Sequence, residues 1–524
     1  MRPLGYLALI LHAHLPYVRH PEYDDFLEER WLFEAVAETY LPLVDVFQRL
    51  AWENVPFRVT MSISPTLASM LEDGLLIERT LRHLSRTLEL AEKEVERTAG
   101  DPHFAPLAQM YRNWYSRAME IYAGECDGRL LLAFRRLRDA GRLEIITCAA
   151  THGFLPLLVS NERAVRRQVE IATRFHETTL GEPPKGIWLP ECGYYPGVDR
   201  HLADNGISYF ICDSHTLRLS DPTPVYDVYA PVYTPRGVAA FGRDPESSKS
   251  VWSAEEGYPG DCDYREFYRD VGFDMPLEYV APYIHLGETR INTGIKYYRI
   301  TGRTAHKQPY SQERARDKAA AHAGNFLFNR EMQVRHLAGN MDRRPIIVAP
   351  YDAELFGHWW YEGPMWLEYL IRKSAFDTQV YSLASPGDYL EEYPANQVAT
   401  PNTGSWGNDG YADVWLESSN EWIYPHLSQM AVRMEEAERA LSGRGEFHNR
   451  VRRQLERELL LAQASDWPFI MKTGTVVAYA VRSIKTRISN FNRLYGQAMS
   501  GSIDEEFLKK LEEKNNIFPP EVLG

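Results

Sequence analysis

Six short apolar runs, each closed by a residue able to do chemistry, constrain this chain more than anything else in it. They are YLALIL before His12, FRVTMSI before Ser64, LEIITCA before His152, GIWL before Glu191, SYFIC before Asp213 and PIIVAP before Asp352. Continuous β-branched and apolar runs of this length read as strands buried on both faces, as in parallel sheets. Helical patterns such as ERAVRRQVEIATRFHETTL and VDRHLADNG lie between several of them. Alternation of strand and helix predicts an α/β fold. Reactive residues just after the strands are where a (β/α) barrel carries its active site. A doubly wound sheet is the alternative, and it is disfavoured because no Gly-rich phosphate loop follows the first strand.

Two regions break the rhythm. Residues 75–140 (IERTLRHLSRTLELAEKEVERTA, then MYRNWYSRAMEIYA) are charged with a helical period and predict a helical insertion. Residues 225–310, including TPRGVAAFGRDPESSKSVWSAEEGYPGDCDYREFY, are rich in Gly, Pro and Ser and predict long active-site loops. The stretch from Val232 to Trp252, with Tyr233 near its start and VAAFGRD at its tip, is expected to act as a lid. Residues 1–400 are assigned to the barrel. Residues 401–524, with LSQMAVRMEEAERALSG, RVRRQLERELLLAQAS and VVAYAVRSIKTRISNFNRLYGQAM, are assigned to a C-terminal helical domain.

Composition narrows the function classes. The formal charge of −14 opposes non-specific nucleic-acid binding and attraction to an anionic membrane. The 31 tyrosines and 12 tryptophans supply flat rings suited to stacking on sugars, beside their ordinary use in a core. Five scattered cysteines without paired spacing read as reduced thiols, which points to the cytoplasm. The opening MRPLGYLALILHAHLPY has a basic residue and a short apolar run. No small-residue cleavage site follows it and the run ends in two histidines, so a signal peptide is not expected. No stretch is long and apolar enough to span a bilayer.

Three constellations carry chemistry. In LHAHLPY, His12 and His14 stand at i, i+2 on a strand and point to one side. With His152 from THGFLPLL as a third member, they suit either a metal site or hydrogen bonding to sugar. In GIWLPECGYYPG, Glu191 sits at a strand end among Trp188, Tyr194 and Tyr195. In VAPYDAELFGHWWYEG, Asp352 closes an apolar run and leads to Trp359, Trp360 and, further on, Trp366, as sugar platforms or as packing. Two carboxyls at the ends of two barrel strands, framed by aromatics, form the arrangement for glycoside cleavage. One attacks the anomeric carbon, and the other protonates the leaving oxygen from a raised pKa.

The motifs HAHLPY, HGFLPLL, GIWLPECGY, APYDAELFGHWWYEGP and SWGNDGYADVWL, in that order, resemble the conserved regions of glycoside hydrolase family 57. Within that family the chain is most similar to the 1,4-α-glucan branching enzymes and their amylase-named relatives. The resemblance implies a distorted (β/α)7 barrel with a helical insertion, and a C-terminal helical domain completing the acceptor side of the cleft. It also implies a retaining mechanism with no metal or other cofactor, acting on α-glucan. Glu191 matches the family nucleophile and Asp352 the general acid/base. His12, His14 and His152 match the donor-sugar subsite, and Trp406 and Trp415 match aromatic residues of the acceptor side. Asp466 in SDWPF and Arg265 in YREFYRD match substrate-contacting positions, while Thr475 stands where many branching relatives carry Gln.

The reading that follows is a retaining branching transferase. Its nearest rival is an α-amylase-type hydrolase or a 4-α-glucanotransferase, because water or another hydroxyl can discharge the same intermediate. A metal-dependent deacetylase or mannosidase would rest on the histidines. It lacks an adjacent Asp, the nearest acidic residues being Glu22, Asp24 and Asp25. A non-catalytic glucan-binding protein would explain the tryptophans but not the two carboxyls.

Overall fold

A computed structural model describes residues 2–252 and 256–524. Residues 253–255, inside the stretch expected to form long loops, lie outside the described part. Among the described residues nine strands form one sheet: β1 Gly5–Ala13, β2 Val59–Ile63, β3 Leu143–Cys148, β4 Gly186–Trp188, β5 Tyr209–Cys212, β6 Val232–Tyr233, β7 Ala239–Gly242, β8 Ile346–Asp352 and β9 Tyr381–Leu383. Seven of them run parallel in the order β7-β5-β4-β3-β2-β1-β8, with β6 antiparallel to β7 and β9 beside the start of β1. The two ends of this path meet. The Asp244 N–H donates to the Val348 carbonyl at 2.8 Å, so a backbone bond just past β7 reaches β8 and closes a distorted seven-stranded barrel.

The strands are buried on both faces, which is why their sequences are apolar without alternation. Their side chains nevertheless divide by parity. Tyr6, Ala8 and Ile10 of β1 share one cluster with Ile146, Trp188, Ile211, Phe241 and Val348, and this fills the barrel. Leu7, Leu9 and Leu11 face the other way, into the core shared with the surrounding helices. Between β2 and β3 lie the helices Gly74–Thr98, Ala105–Met119 and Leu130–Asp139. The C-terminal helices Ile423–Leu441, Glu446–Ala462, Asp466–Thr473 and Val477–Ser500 do not stand apart. Met434, Leu455, Trp467 and Phe491 share a core with Val165, Ile187 and Phe210 of the barrel. Among the described residues no helix is long and apolar enough to cross a membrane.

The segment from Val232 to Trp252 is not a lid. It holds β6, the buried barrel strand β7 and the helix Pro245–Trp252. Tyr233 belongs to β6, and its hydroxyl donates to the Pro394 carbonyl at 3.2 Å. The run AAFG is short and rich in small residues, so it carries too little strand signal to register as one. Small residues are needed there, because a Cβ on Gly242 would come within 2.8 Å of Leu217. Arg330, itself buried, ties this region to the helix Gln312–Ala338 by donating to the buried Asp244 carboxylate at 2.9 Å.

Candidate active site

The site is built from a repeated i, i+2 device on three adjacent strands. In register, His12 of β1 stands beside Ser62 of β2 on one side and Asp352 of β8 on the other. Two residues further on come His14, Ser64 and Glu354. His12 Nδ1 meets Ser62 Oγ at 3.2 Å, and His14 Nδ1 meets Ser64 Oγ at 2.9 Å. The His14 backbone N–H donates to Glu354 Oε1 at 3.2 Å, and the Tyr40 hydroxyl donates to that same carboxylate. The pleat thus stacks two layers of polar groups above the apolar barrel interior.

The next strands add the rest. His152 follows β3 with φ of 56° and Glu191 follows β4 with φ of 60°, both left-handed conformations that are costly for residues with a Cβ. Helix Asp466–Thr473 comes in from the C-terminal region. It is docked by the Ser465 N–H donating to the His152 carbonyl at 3.0 Å and by the Gly153–Ala464 bridge. His14 and His152 stack with ring centroids 3.7 Å apart, and His12 stacks on Trp188 at 4.6 Å. His12 Nε2 and His152 Nε2 are 3.0 Å apart, and His14 Nε2 lies 3.1 Å from Asp466 Oδ1. The structure therefore brings His12, His14, His152, Glu191, Asp352 and Asp466 to one place.

Glu191 is held by two donors. Trp406 Nε1–H gives a hydrogen bond to Oε2 at 2.9 Å, and Ser465 Oγ lies 3.1 Å from Oε1. The Trp406 ring stands edge-on between Trp188 and Trp252, with the Arg243 guanidinium 5.8 Å from its centroid. Asp352 carries no such donor among the described residues. Burial, then the carboxylates of Glu354 and Glu191, push its carboxyl well above the usual range, with Arg243 opposing. Burial raises Glu191 as well, and the Trp406 and Ser465 donors counter it by favouring the charged form. Burial lowers His12 and His152 far below an ordinary imidazole, so both are neutral. At His14 burial acts the same way, but the carboxylates of Asp466, Glu191 and Glu354 outweigh it and raise its pKa.

Other residues expected at the site stand differently. Trp359 is 57% exposed and stacks on Phe267 with centroids 4.5 Å apart. Trp360 is buried against Trp366, with ring centroids 5.5 Å apart, and its backbone bridges to Phe356. Trp415 is buried and stacked on Phe154 at 4.5 Å, so in this structure it is core rather than an open platform. Arg265 is buried 4.0 Å from the Tyr361 ring centroid and donates to the Tyr111 hydroxyl at 3.2 Å. It lines a different cavity, whose walls include neither Glu191 nor Asp352.

The sequence alone does not mark Ser62, Ser465, Glu354 or Tyr40 as site residues. The pair Ser62 and Ser64 repeats the His12 and His14 spacing on the neighbouring strand, and Asp352 and Glu354 repeat it again; that triple coincidence was the available signal. Among the described residues, two donor sets in this pocket have ligand atoms within 4.8 Å of one another: His12, Cys148 and His152, and His14, His152 and Asp466. These are donor types that zinc accepts, so a metal is a chemical alternative for this pocket.

Comparison with known proteins follows the same lines. Residues 8–401 match the family model for glycosyl hydrolase family 57, and residues 426–521 match that for the 1,4-alpha-glucan branching enzyme C-terminal region. The chain is 35% identical to the 1,4-alpha-glucan branching enzyme TK1436 of Thermococcus kodakarensis, over 99% of this chain and 78% of that protein. Among solved structures, the α-amylase AmyC of Thermotoga maritima superposes with a TM-score of 0.93 at 44% identity, covering 100% of this chain and 99% of that one. The branching enzyme of Pyrococcus horikoshii superposes at 0.88 with 31% identity, covering 99% and 97%.

Proposed function

The chain belongs to glycosyl hydrolase family 57, and from that premise we propose that it is a 1,4-α-glucan branching enzyme working through a covalent intermediate on Glu191. The observation that carries this reading is the unequal setting of the two carboxyls. Glu191 receives two hydrogen bonds that favour its carboxylate, as a nucleophile needs. Asp352 receives none among the described residues and is pushed toward the protonated form by burial and two neighbouring carboxylates, as a proton donor needs.

Glu191 attacks the anomeric carbon as Asp352 gives its proton to the glycosidic oxygen, and the reducing-end part of the chain leaves. Asp352, now a carboxylate, takes the proton of an acceptor 6-hydroxyl whose oxygen attacks the same carbon and frees Glu191. Two displacements at one carbon retain its configuration, and the carboxyl groups are then about 5–5.5 Å apart. The histidine cluster, Asp466 and the exposed Trp359 ring supply hydrogen bonds and a flat face for the glucan. The uncombined cysteines, four of them buried, support a cytoplasmic enzyme that builds glycogen-like polymer.

The likeness to an α-amylase favours a second reading, in which water discharges the intermediate. Incubation with amylose, followed by debranching and chain-length analysis alongside a reducing-end assay, separates the two. New α-1,6 branches exceeding new reducing ends support transfer. Reducing ends alone establish a hydrolase. Stoichiometric zinc with activity lost on chelation would replace both readings with metal-dependent hydrolysis.

A further inference from the structure

We infer that Ser465 is a positioning residue for the nucleophile, the last link of a one-directional hydrogen-bond wire that runs from Ser62 through His12 and His152 to Glu191. The contacts are continuous: Ser62 Oγ to His12 Nδ1 at 3.2 Å, His12 Nε2 to His152 Nε2 at 3.0 Å, His152 Nδ1 to Ser465 Oγ at 2.8 Å, and Ser465 Oγ to Glu191 Oε1 at 3.1 Å. Ser465 and both rings are almost wholly buried. The inference rests on Glu191 being the nucleophile.

The direction follows from what each group can do. An ionised carboxylate only accepts, so Ser465 must donate to Glu191. The Ser465 oxygen then accepts from His152, which must carry its proton on Nδ1. A neutral His152 so protonated presents an unprotonated Nε2, which accepts from His12 Nε2–H. His12 Nδ1 is then bare and accepts from Ser62, whose hydroxyl has the Thr147 carbonyl at 3.4 Å as its other option. One constraint at the carboxylate therefore fixes the tautomers of both histidines. No proton changes owner. The chain is a set of dipoles aligned toward the charge that the first chemical step consumes and the second restores.

A serine directly before a helix would ordinarily cap it, accepting from a backbone N–H in the first turn. Ser465 precedes Asp466–Thr473, yet its side chain makes no capping bond. Its hydroxyl is directed instead at His152 and Glu191. Two of the wire's members, His152 and Glu191, also hold left-handed backbone conformations. Strain of that kind persists where the surroundings dictate it, and here it aims both side chains at the same hydroxyl. The wire joins four barrel strands to the C-terminal helices, which makes those helices part of the nucleophile's support.

The test has two independent arms. Long-range 1H–15N correlation spectra of the 15N-histidine protein, assigned with single-site variants, read the tautomers without any turnover. We expect Nδ1–H at His152 and Nε2–H at His12, and in Ser465→Ala we expect both signatures to change. In the kinetic arm, Ser465→Ala should lower kcat roughly 10- to 100-fold, as for loss of one hydrogen bond to a charged group. KM should stay about the same, because Ser465 supports the nucleophile rather than the sugar, and Ser465→Thr should recover most of kcat. Opposite tautomers, a ring pattern untouched by Ser465→Ala, a loss confined to KM, or zinc on the two rings would each overturn the wire. Full activity in Glu191→Gln with the expected tautomers in the native protein would instead overturn the nucleophile assignment, and with it the positioning role of Ser465, while leaving the order of the hydrogen bonds intact.

Discussion

Replacing Trp406 by Phe tests the electrostatics of the site most directly. The substitution keeps a ring between Trp188 and Trp252 and removes the indole N–H that lies 2.9 Å from Glu191 Oε2. A hydrogen bond to a charged group contributes about 1.5–3 kcal/mol. At about 1.4 kcal/mol per factor of ten, kcat/KM near neutral pH should fall roughly 10- to 150-fold. The pH profile carries the sign. Trp406 favours the Glu191 carboxylate and opposes the upward push of burial. Without it the Glu191 pKa rises further, and because the proposed mechanism needs Glu191 ionised, the acid limb of kcat/KM should move to higher pH. Branching and hydrolysis share the step that forms the intermediate, so both should fall and their ratio should hold. The assay is initial rates of branch formation and reducing-end release across pH, with a thermal melt as control. An unmoved acid limb, or a loss that falls on branching alone, would refute the nucleophile-holding role and favour an acceptor platform.

Glu354→Gln removes one of the two carboxylates that raise Asp352. The proposed mechanism needs Asp352 protonated for its first step, so its lowered pKa should carry the alkaline limb of kcat/KM to lower pH, which the same pH series measures. Arg330→Met leaves the buried Asp244 carboxylate without its 2.9 Å partner at the β7–β8 closure. It should cost about 3–5 kcal/mol of stability, with Asp244→Asn in the same chain recovering part, as read by denaturant melts. Trp359→Ala, at a largely exposed ring stacked on Phe267, should change stability by less than about 0.5 kcal/mol. It should weaken binding of long glucans more than short ones, measured as KM against chain length.

The candidate site was legible because strand ends advertise themselves. An apolar run buried on both faces has no physical use for a terminal Asp, Glu or His, so each such residue stood out, and the shared barrel mouth brought them together. β7 was illegible for the opposite reason. Three of its four residues are small, a Cβ on Gly242 would strike Leu217 and Val228, and periodicity over so short a stretch says nothing of its partners. The tryptophans divided on a question that local sequence cannot pose. Trp359 and Trp360 are adjacent and chemically alike, yet one ring faces water and the other is buried, just after a tight turn at Gly357 where a Cβ would strike the Glu38 carbonyl at 1.8 Å. Ser465 was hidden more deeply. A serine before a helix is an ordinary capping residue, so its position in the sequence carries no sign of another use. What distinguishes it is the absence of the capping bond together with two partners, 313 and 274 residues away in sequence. A residue whose local role is available but unfilled, while distant groups occupy the atom that would fill it, marks where the fold has given up a small local stabilisation to place a donor at Glu191, the proposed nucleophile.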